Sequence, residues 1–91
     1  MRNQTWFLYL IECQDGSIYT GIALDVAARF AAHAAGKGAR YTRAHPPRTL
    51  LACTAFPDRA SASRAEYQVK RLSAAQKREY AARLQPSASP A

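Results

Sequence analysis

The dipeptide Asp15-Gly16 sits between two apolar, β-rich runs, Thr5–Cys13 and Ser17–Ile22, and constrains the fold more than any other feature of the chain. A two-residue type I′ turn needs positive φ at both central positions, and Asp-Gly meets that need at small cost. The first run contains Trp6, Phe7, Leu8, Tyr9, Leu10 and Ile11. It is too short for a buried helix and reads as a strand. The second run returns antiparallel to it.

Helical and strand signals follow in turn. Asp25 can cap a helix through its side-chain oxygen. The alanine-rich run Val26–Ala35 comes next, and Gly36 stands where a left-handed C-terminal residue would sit. Val26 and Phe30, at i and i+4, are expected to face the core, with Arg29 and His33 on the neighbouring stripe. Residues 36–47 read as a loop by composition. Arg48–Phe56 reads as a third strand, stopped by Pro57. A helix is expected over Ser61–Leu72, and Ser73 with Gln76 spells a capping box that opens another, to about Leu84. Residues 85–91 read as a polar, proline-broken tail without fixed structure. The order is ββαβαα. It predicts an α/β domain over residues 4–84, a small three-stranded antiparallel sheet flanked by helices.

Ninety-one residues leave room for one domain and exclude a separate cofactor domain. Thirteen Lys or Arg against six Asp or Glu give a net charge of +7, unevenly placed. Between Asp25 and Asp58 there is no acidic residue, whereas Arg29, Lys37, Arg40, Arg43 and Arg48 all fall there. Such a field favours a polyanion: nucleic acid, an anionic membrane surface or a phosphorylated ligand. The longest apolar run, Trp6–Ile11, is far short of the roughly 20 residues of a membrane helix. No segment resembles a signal peptide, so a cytoplasmic location is expected. Cys13 and Cys53 lack paired metal-ligand spacing, and two small buried thiols are expected.

Four segments, in order, carry a family resemblance. Phe7-Leu8-Tyr9 is followed after nine residues by Tyr19-Thr20-Gly21, then by a helix holding Arg29 and His33, then by Gly36-Lys-Gly-Ala-Arg-Tyr-Thr-Arg, and then by Ala65-Glu-Tyr-Gln-Val-Lys-Arg-Leu-Ser. Over residues 6–80 the chain resembles the GIY-YIG nuclease superfamily, in particular its small single-domain bacterial members. The first triplet lacks the family's leading glycine, and the frequent downstream asparagine has no evident counterpart, since the only Asn is Asn3.

The resemblance implies roles residue by residue. Tyr9 and Tyr19 match the two motif tyrosines, Gly21 the motif glycine, Arg29 the helix arginine, His33 a histidine many members carry, and Glu66 the metal-ligating glutamate. It implies a one-metal phosphodiester hydrolysis, with Mg²⁺ the expected ion, because a lone carboxylate suits a cation that keeps several waters. Tyr9 is expected to act as base and Tyr19 to orient or assist. A phenol of pKa about 10 is a poor base unless cations and hydrogen bonds favour the phenolate. Arg29 and the metal are expected to supply that bias, and the arginine fork matches phosphate oxygens bidentately. Lys37, Arg40, Tyr41, Arg43 and Lys70 are expected to contact nucleic acid, DNA ahead of RNA. No membrane partner is expected, and the chain is expected to be a monomer or weak homodimer.

Plainer readings stand beside these. Tyr9 and Tyr19 also suit a cross-strand aromatic pair, and His33 a favourable partner of its helix C-terminus. Ser63 and Glu66 spell a capping box, unless Asp58 or Ser61 caps earlier and leaves Glu66 inside the helix. Lys70 is either the i,i+4 partner of Glu66 or a phosphate contact. Tyr41 either stacks on a base or plugs the core edge, and His45 reads as a loop residue. The same fold used as a DNA- or RNA-binding module without cleavage is the alternative function.

Overall fold

The computed structural model describes residues 4–84; the expected tail over residues 85–91 lies outside the described residues. Three strands, β1 (Trp6–Cys13), β2 (Ile18–Ala23) and β3 (Pro47–Phe56), form an antiparallel sheet in the order β2-β1-β3. Four helices accompany it: α1 (Val26–Ala34), α2 (Arg40–Ala44), α3 (Arg59–Lys70) and α4 (Ala74–Leu84).

The central place of β1 explains its unbroken apolar run. Leu8, Tyr9, Leu10 and Ile11 are all at most 1% exposed, because the strand is covered on both faces. Leu8 and Leu10 pack with Ile18 and Val69 on the face covered by α3 and α4, where Ile22, Leu72 and Tyr80 close the cluster. Tyr9, Ile11, Cys13 and Ala23 point the other way, under Val26 and Phe30 of α1. The two-residue strand period divides one sequence into two cores.

The hairpin connection differs from the expected type I′ turn. The Gly16 amide donates to the Cys13 carbonyl at 3.0 Å and the Cys13 amide to the Ser17 carbonyl at 2.8 Å, so Gln14, Asp15 and Gly16 form a three-residue loop. Gly16 takes the left-handed position, φ 89°, the alternative hairpin solution that uses glycine once. The freed Asp15 carboxylate accepts from the Ser17 amide at 3.0 Å, from its hydroxyl at 2.6 Å and from His45 Nδ1 at 2.5 Å. These bonds hold its carboxyl well below the usual range.

Helix ends follow capping chemistry. Asp25 caps α1 by accepting from the Ala28 amide at 3.0 Å, and Ser73 and Gln76 exchange both bonds of the capping box at 3.1 and 2.9 Å. Asp58 accepts from the Ser61 amide at 2.8 Å, so α3 starts at Arg59, two residues before the expected Ser61. Glu66 therefore lies inside the helix and the Ser63–Glu66 capping box does not form.

Two further expectations are corrected. The supposed loop 36–47 contains α2, making the order ββααβαα. Five residues are too few to show periodicity, and Ala39 at its N-cap makes no side-chain bond, so nothing local announces the helix. Cys53 is exposed, not buried, because it sits on the edge strand β3, much of which faces outward. No helix among the described residues is long and apolar enough to cross a membrane.

Candidate active site

Opposite each other in the sheet stand Tyr9 on β1 and Gly21 on β2, with Tyr19 one pair further along the same face. This register places the Tyr9 and Tyr19 rings 6.3 Å apart between centroids. Gly21 is where the Tyr9 ring needs room: a Cβ there would stand 2.5 Å from Tyr9 Oη and 2.7 Å from Cζ. The motif glycine thus makes space for the tyrosine hydroxyl.

From above this face, α1 delivers His33 and Arg29. His33 is 1% exposed, and its Nε2 lies 2.9 Å from Tyr9 Oη. Its other nitrogen, Nδ1, lies 2.6 Å from the hydroxyl of Thr42 on α2. Burial, then the Arg29 charge, pushes the imidazole below its ordinary value. A neutral ring held in a hydrogen-bonded chain does not fit the helix-dipole reading, which needs a protonated one. Burial also dominates at Tyr9, with Tyr19 next. Together with Glu66 these outweigh the Arg29 guanidinium and push the phenol up to about 12. Arg29 pulls the Tyr9 pKa down, as expected of it, but does not by itself outweigh burial; the resting pair is a neutral phenol against a neutral imidazole.

The aromatic contacts continue outward. His33 stacks obliquely on Tyr19 at 5.0 Å, Tyr19 lies 6.0 Å from Tyr41, and Tyr41 lies 4.2 Å from His45. Tyr41 is 37% exposed, so it extends this row toward solvent and does not plug the core. His45 is no idle loop residue, since it joins Tyr41 to Asp15.

Glu66 and Arg29 both lie close enough to Tyr9 to bias its ionisation. Glu66 pairs with Lys70 at 3.3 Å, the i,i+4 reading of that lysine. Among the described residues no three His, Cys, Asp or Glu cluster to hold a metal by themselves. Glu66, its side chain 22% exposed, suits a hydrated Mg²⁺, which needs only one or two carboxylates besides water and phosphate.

One cleft opens at Arg29 and another at Tyr19. The first, about 550 Å³, runs from Trp6 and Arg59 past Ala28 to Arg29; the second, about 340 Å³, lies between Tyr19, Tyr41, Lys70 and Lys77. Lys70 therefore also borders the second cleft. Lys37, Arg40 and Arg43 are exposed on and around α2. Sequence reasoning missed Thr42 and Lys77. Lys77 donates to the Ile18 carbonyl at 3.2 Å, and burial, with Lys70, lowers its pKa. No local signal marks it, because Lys70 ends α3 and Lys77 lies on α4.

The model of the GIY-YIG catalytic domain matches residues 5–80, and the matched stretch contains every residue of the Tyr9–Tyr19–Arg29–His33–Glu66 cluster. The chain belongs to the GIY-YIG family. Among its relatives, a UPF0213 protein of Cupriavidus pinatubonensis is 55% identical over 80 residues, 88% of this chain and 89% of that one. A UPF0213 protein of Xanthomonas axonopodis pv. citri is 58% identical over 72 residues, 79% of this chain and 71% of that one. Solution structures show the same fold. The UPF0213 protein BH0048 of Bacillus halodurans has a TM-score of 0.52 at 41% identity, covering 93% of this chain and 99% of its own. The protein EF2693 of E. faecalis has 0.63 at 30%, covering 100% and 98%. A GIY-YIG domain implies nucleic-acid binding, in line with the exposed cations on and around α2.

The depressed His33 value makes stability depend on pH. A group whose folded pKa is lowered stabilises the fold above its unfolded value, about 6.5 for histidine, and loses that contribution as pH falls through the folded value. Denaturant midpoints are expected to be flat from pH 8 to 7 and to fall on acidification below about 6.5. A second loss at more acidic pH is expected as Asp15 and Asp58, both held low, are protonated. A midpoint unchanged from pH 7 to 5 contradicts a buried neutral His33.

Proposed function

We propose that this GIY-YIG protein is a divalent-metal-dependent nuclease that hydrolyses phosphodiesters, with DNA ahead of RNA as its substrate. The observation that carries this reading is the 2.9 Å bond between Tyr9 Oη and His33 Nε2, with Arg29 and Glu66 both acting on the same phenol.

The neutral pair supports a base that needs no phenolate at rest. Tyr9 Oη takes a proton from the attacking water as its own proton passes to His33 Nε2. The resulting hydroxide forms the new P–O bond, and the bond to the leaving oxygen breaks. That oxygen takes its proton from solvent, with Tyr19 orienting the phosphate. His33, transiently an imidazolium, returns its proton through Tyr9 to solvent after product leaves. Arg29 offers its fork to the phosphate oxygens that gain charge. Glu66 would hold the cation, which when bound supplies Lewis-acid stabilisation of that charge.

Nucleic acid would reach the site along its basic flank. Lys37, Arg40 and Arg43 offer phosphate contacts, and Lys70 borders the Tyr19–Tyr41 cleft. Exposed Tyr41 offers a face on which a base can stack.

The test is incubation of labelled branched, single-stranded and duplex DNA, and RNA, with the pure protein in Mg²⁺ or EDTA. Products are expected with Mg²⁺ alone, and none from Glu66→Ala, which still binds. Equal binding by both proteins with no metal-dependent product would establish the non-catalytic binding module instead.

A further inference from the structure

We infer that Thr42 is a positioning residue for the Tyr9–His33 pair: its hydroxyl fixes His33 in the tautomer that carries the proton on Nδ1, leaving Nε2 bare to take the Tyr9 proton. The functional half of this inference rests on the proposed nuclease reading; the tautomer itself does not.

The geometry favours one assignment of protons. Thr42 Oγ1 lies 3.0 Å from the Ala39 carbonyl oxygen, placed for the hydroxyl to donate back one turn of the chain. The carbonyl has none, so Thr42 donates its single proton there. The 2.6 Å contact between the same Oγ1 and His33 Nδ1 then requires the ring's proton, with Oγ1 accepting. Neutral imidazole has one N–H, so Nε2 presents a lone pair, and the Tyr9 hydroxyl at 2.9 Å donates to it. The Ala39 amide also points its N–H at Nδ1, a pull toward the other tautomer, but at 3.4 Å it lies at the outer limit of a hydrogen bond and is the weaker partner beside the 2.6 Å Thr42 contact.

The surroundings are built around this ring. Tyr9, His33 and Thr42 are each 1% exposed, so no bulk water substitutes for a missing partner. A Cβ on Gly38 would run into the His33 ring, so the stretch from Gly38 to Thr42 wraps the imidazole at van der Waals range. The short helix α2, which no local signal predicts, is what carries the Thr42 hydroxyl to it. A histidine's tautomer is set by the bond its far nitrogen makes. With Nδ1–H unpartnered, the ring gains by reprotonating on Nε2, which then donates to Tyr9 and can no longer take its proton.

The test is nitrogen-15 NMR of the His33 ring at neutral pH, with His45→Gln in the background to leave one histidine. Wild type, Thr42→Val and Thr42→Ser are compared. Wild type and the serine variant are expected to show a protonated Nδ1 and a bare Nε2, and the valine variant to move proton onto Nε2. A wild-type ring protonated on Nε2 overturns the inference, and so does a valine variant whose ring matches wild type. If the valine variant does not fold, the wild-type and serine spectra decide. On a cleaved substrate, kcat is expected to fall about 10- to 100-fold in Thr42→Val, the scale on which outer partners of a site histidine act, with KM unchanged and kcat restored in Thr42→Ser. An equal fall in the serine variant overturns positioning by the hydroxyl. A protein that cuts nothing sinks the nuclease reading and leaves the tautomer result standing.

Discussion

Arg29→Ala is expected to slow single-turnover cleavage by about a thousand- to a hundred-thousand-fold, the range for an arginine that stabilises charge in phosphoryl transfer. Nucleic-acid binding is expected to weaken by less than about tenfold, because one phosphate contact among several is removed. The asymmetry follows from position. Arg29 lies on α1 beside the Tyr9 phenol and opens onto the cleft shared with Trp6 and Arg59. Lys37, Arg40 and Arg43 lie on the exposed surface beyond, where they are expected to add affinity without touching the reacting phosphate. Arg29→Lys is expected to recover only part of the rate, since an ammonium is a point charge and cannot hold two oxygens in a plane. Rates and fluorescence-anisotropy titrations on the same substrate separate the two effects. Parallel losses in rate and binding would make Arg29 an ordinary surface contact.

Gly21→Ala is expected to damage fold and activity together. The glycine lies within β2, directly opposite Tyr9, and what it supplies is space. An added Cβ meets Tyr9 Oη at 2.5 Å, Tyr9 Cζ at 2.7 Å and Tyr19 Cε2 at 3.1 Å. The Tyr9 ring cannot retreat, because His33 holds its hydroxyl from the other side and the ring is 1% exposed. Overpacking of this kind costs about 1–3 kcal/mol. A catalytic group displaced by an ångström loses about a hundredfold in rate. Denaturant midpoints and cleavage rates check both. Adding Tyr9→Phe removes the nearest clash, so the double variant is expected to regain stability over Gly21→Ala but no activity. A Gly21→Ala protein with wild-type stability and rate would mean that the ring has room the structure does not show.

How much of this is legible in the sequence depends on how local each signal is. The hairpin, the Asp25 cap and the Ser73–Gln76 box are each written within a few consecutive residues, and all three form. The glycine of the first turn is equally local, but the choice between a two- and a three-residue loop depends on the Asp15 carboxylate finding Ser17 and His45, thirty residues apart from the latter. Helix α2 is not legible at all: it has no cap and too few residues, and the contact that anchors it joins Thr42 to His33. Cys53 reads as buried because its residue type usually is, whereas its exposure comes from an edge position that only the strand order β2-β1-β3 reveals. At the site, Tyr9, Tyr19, Arg29, His33 and Glu66 are readable through motif spacing. The Tyr9–His33 bond spans 24 residues and is visible only in three dimensions. So is the burial that raises the Tyr9 pKa against the pull of Arg29.

The central claim is that Tyr9 and His33 act as one proton-transfer unit, and a double-mutant cycle tests it most directly. Single-turnover cleavage rates are measured for wild type, Tyr9→Phe, His33→Gln and the double variant on one substrate in Mg²⁺. Tyr9→Phe is expected to lose about a hundred- to ten-thousand-fold, the usual contribution of a general base. Because groups acting as a unit are not additive, the double variant is expected to be no slower than Tyr9→Phe alone. Losses that multiply in the double variant, or a His33→Gln protein that cuts at the wild-type rate, would contradict the account.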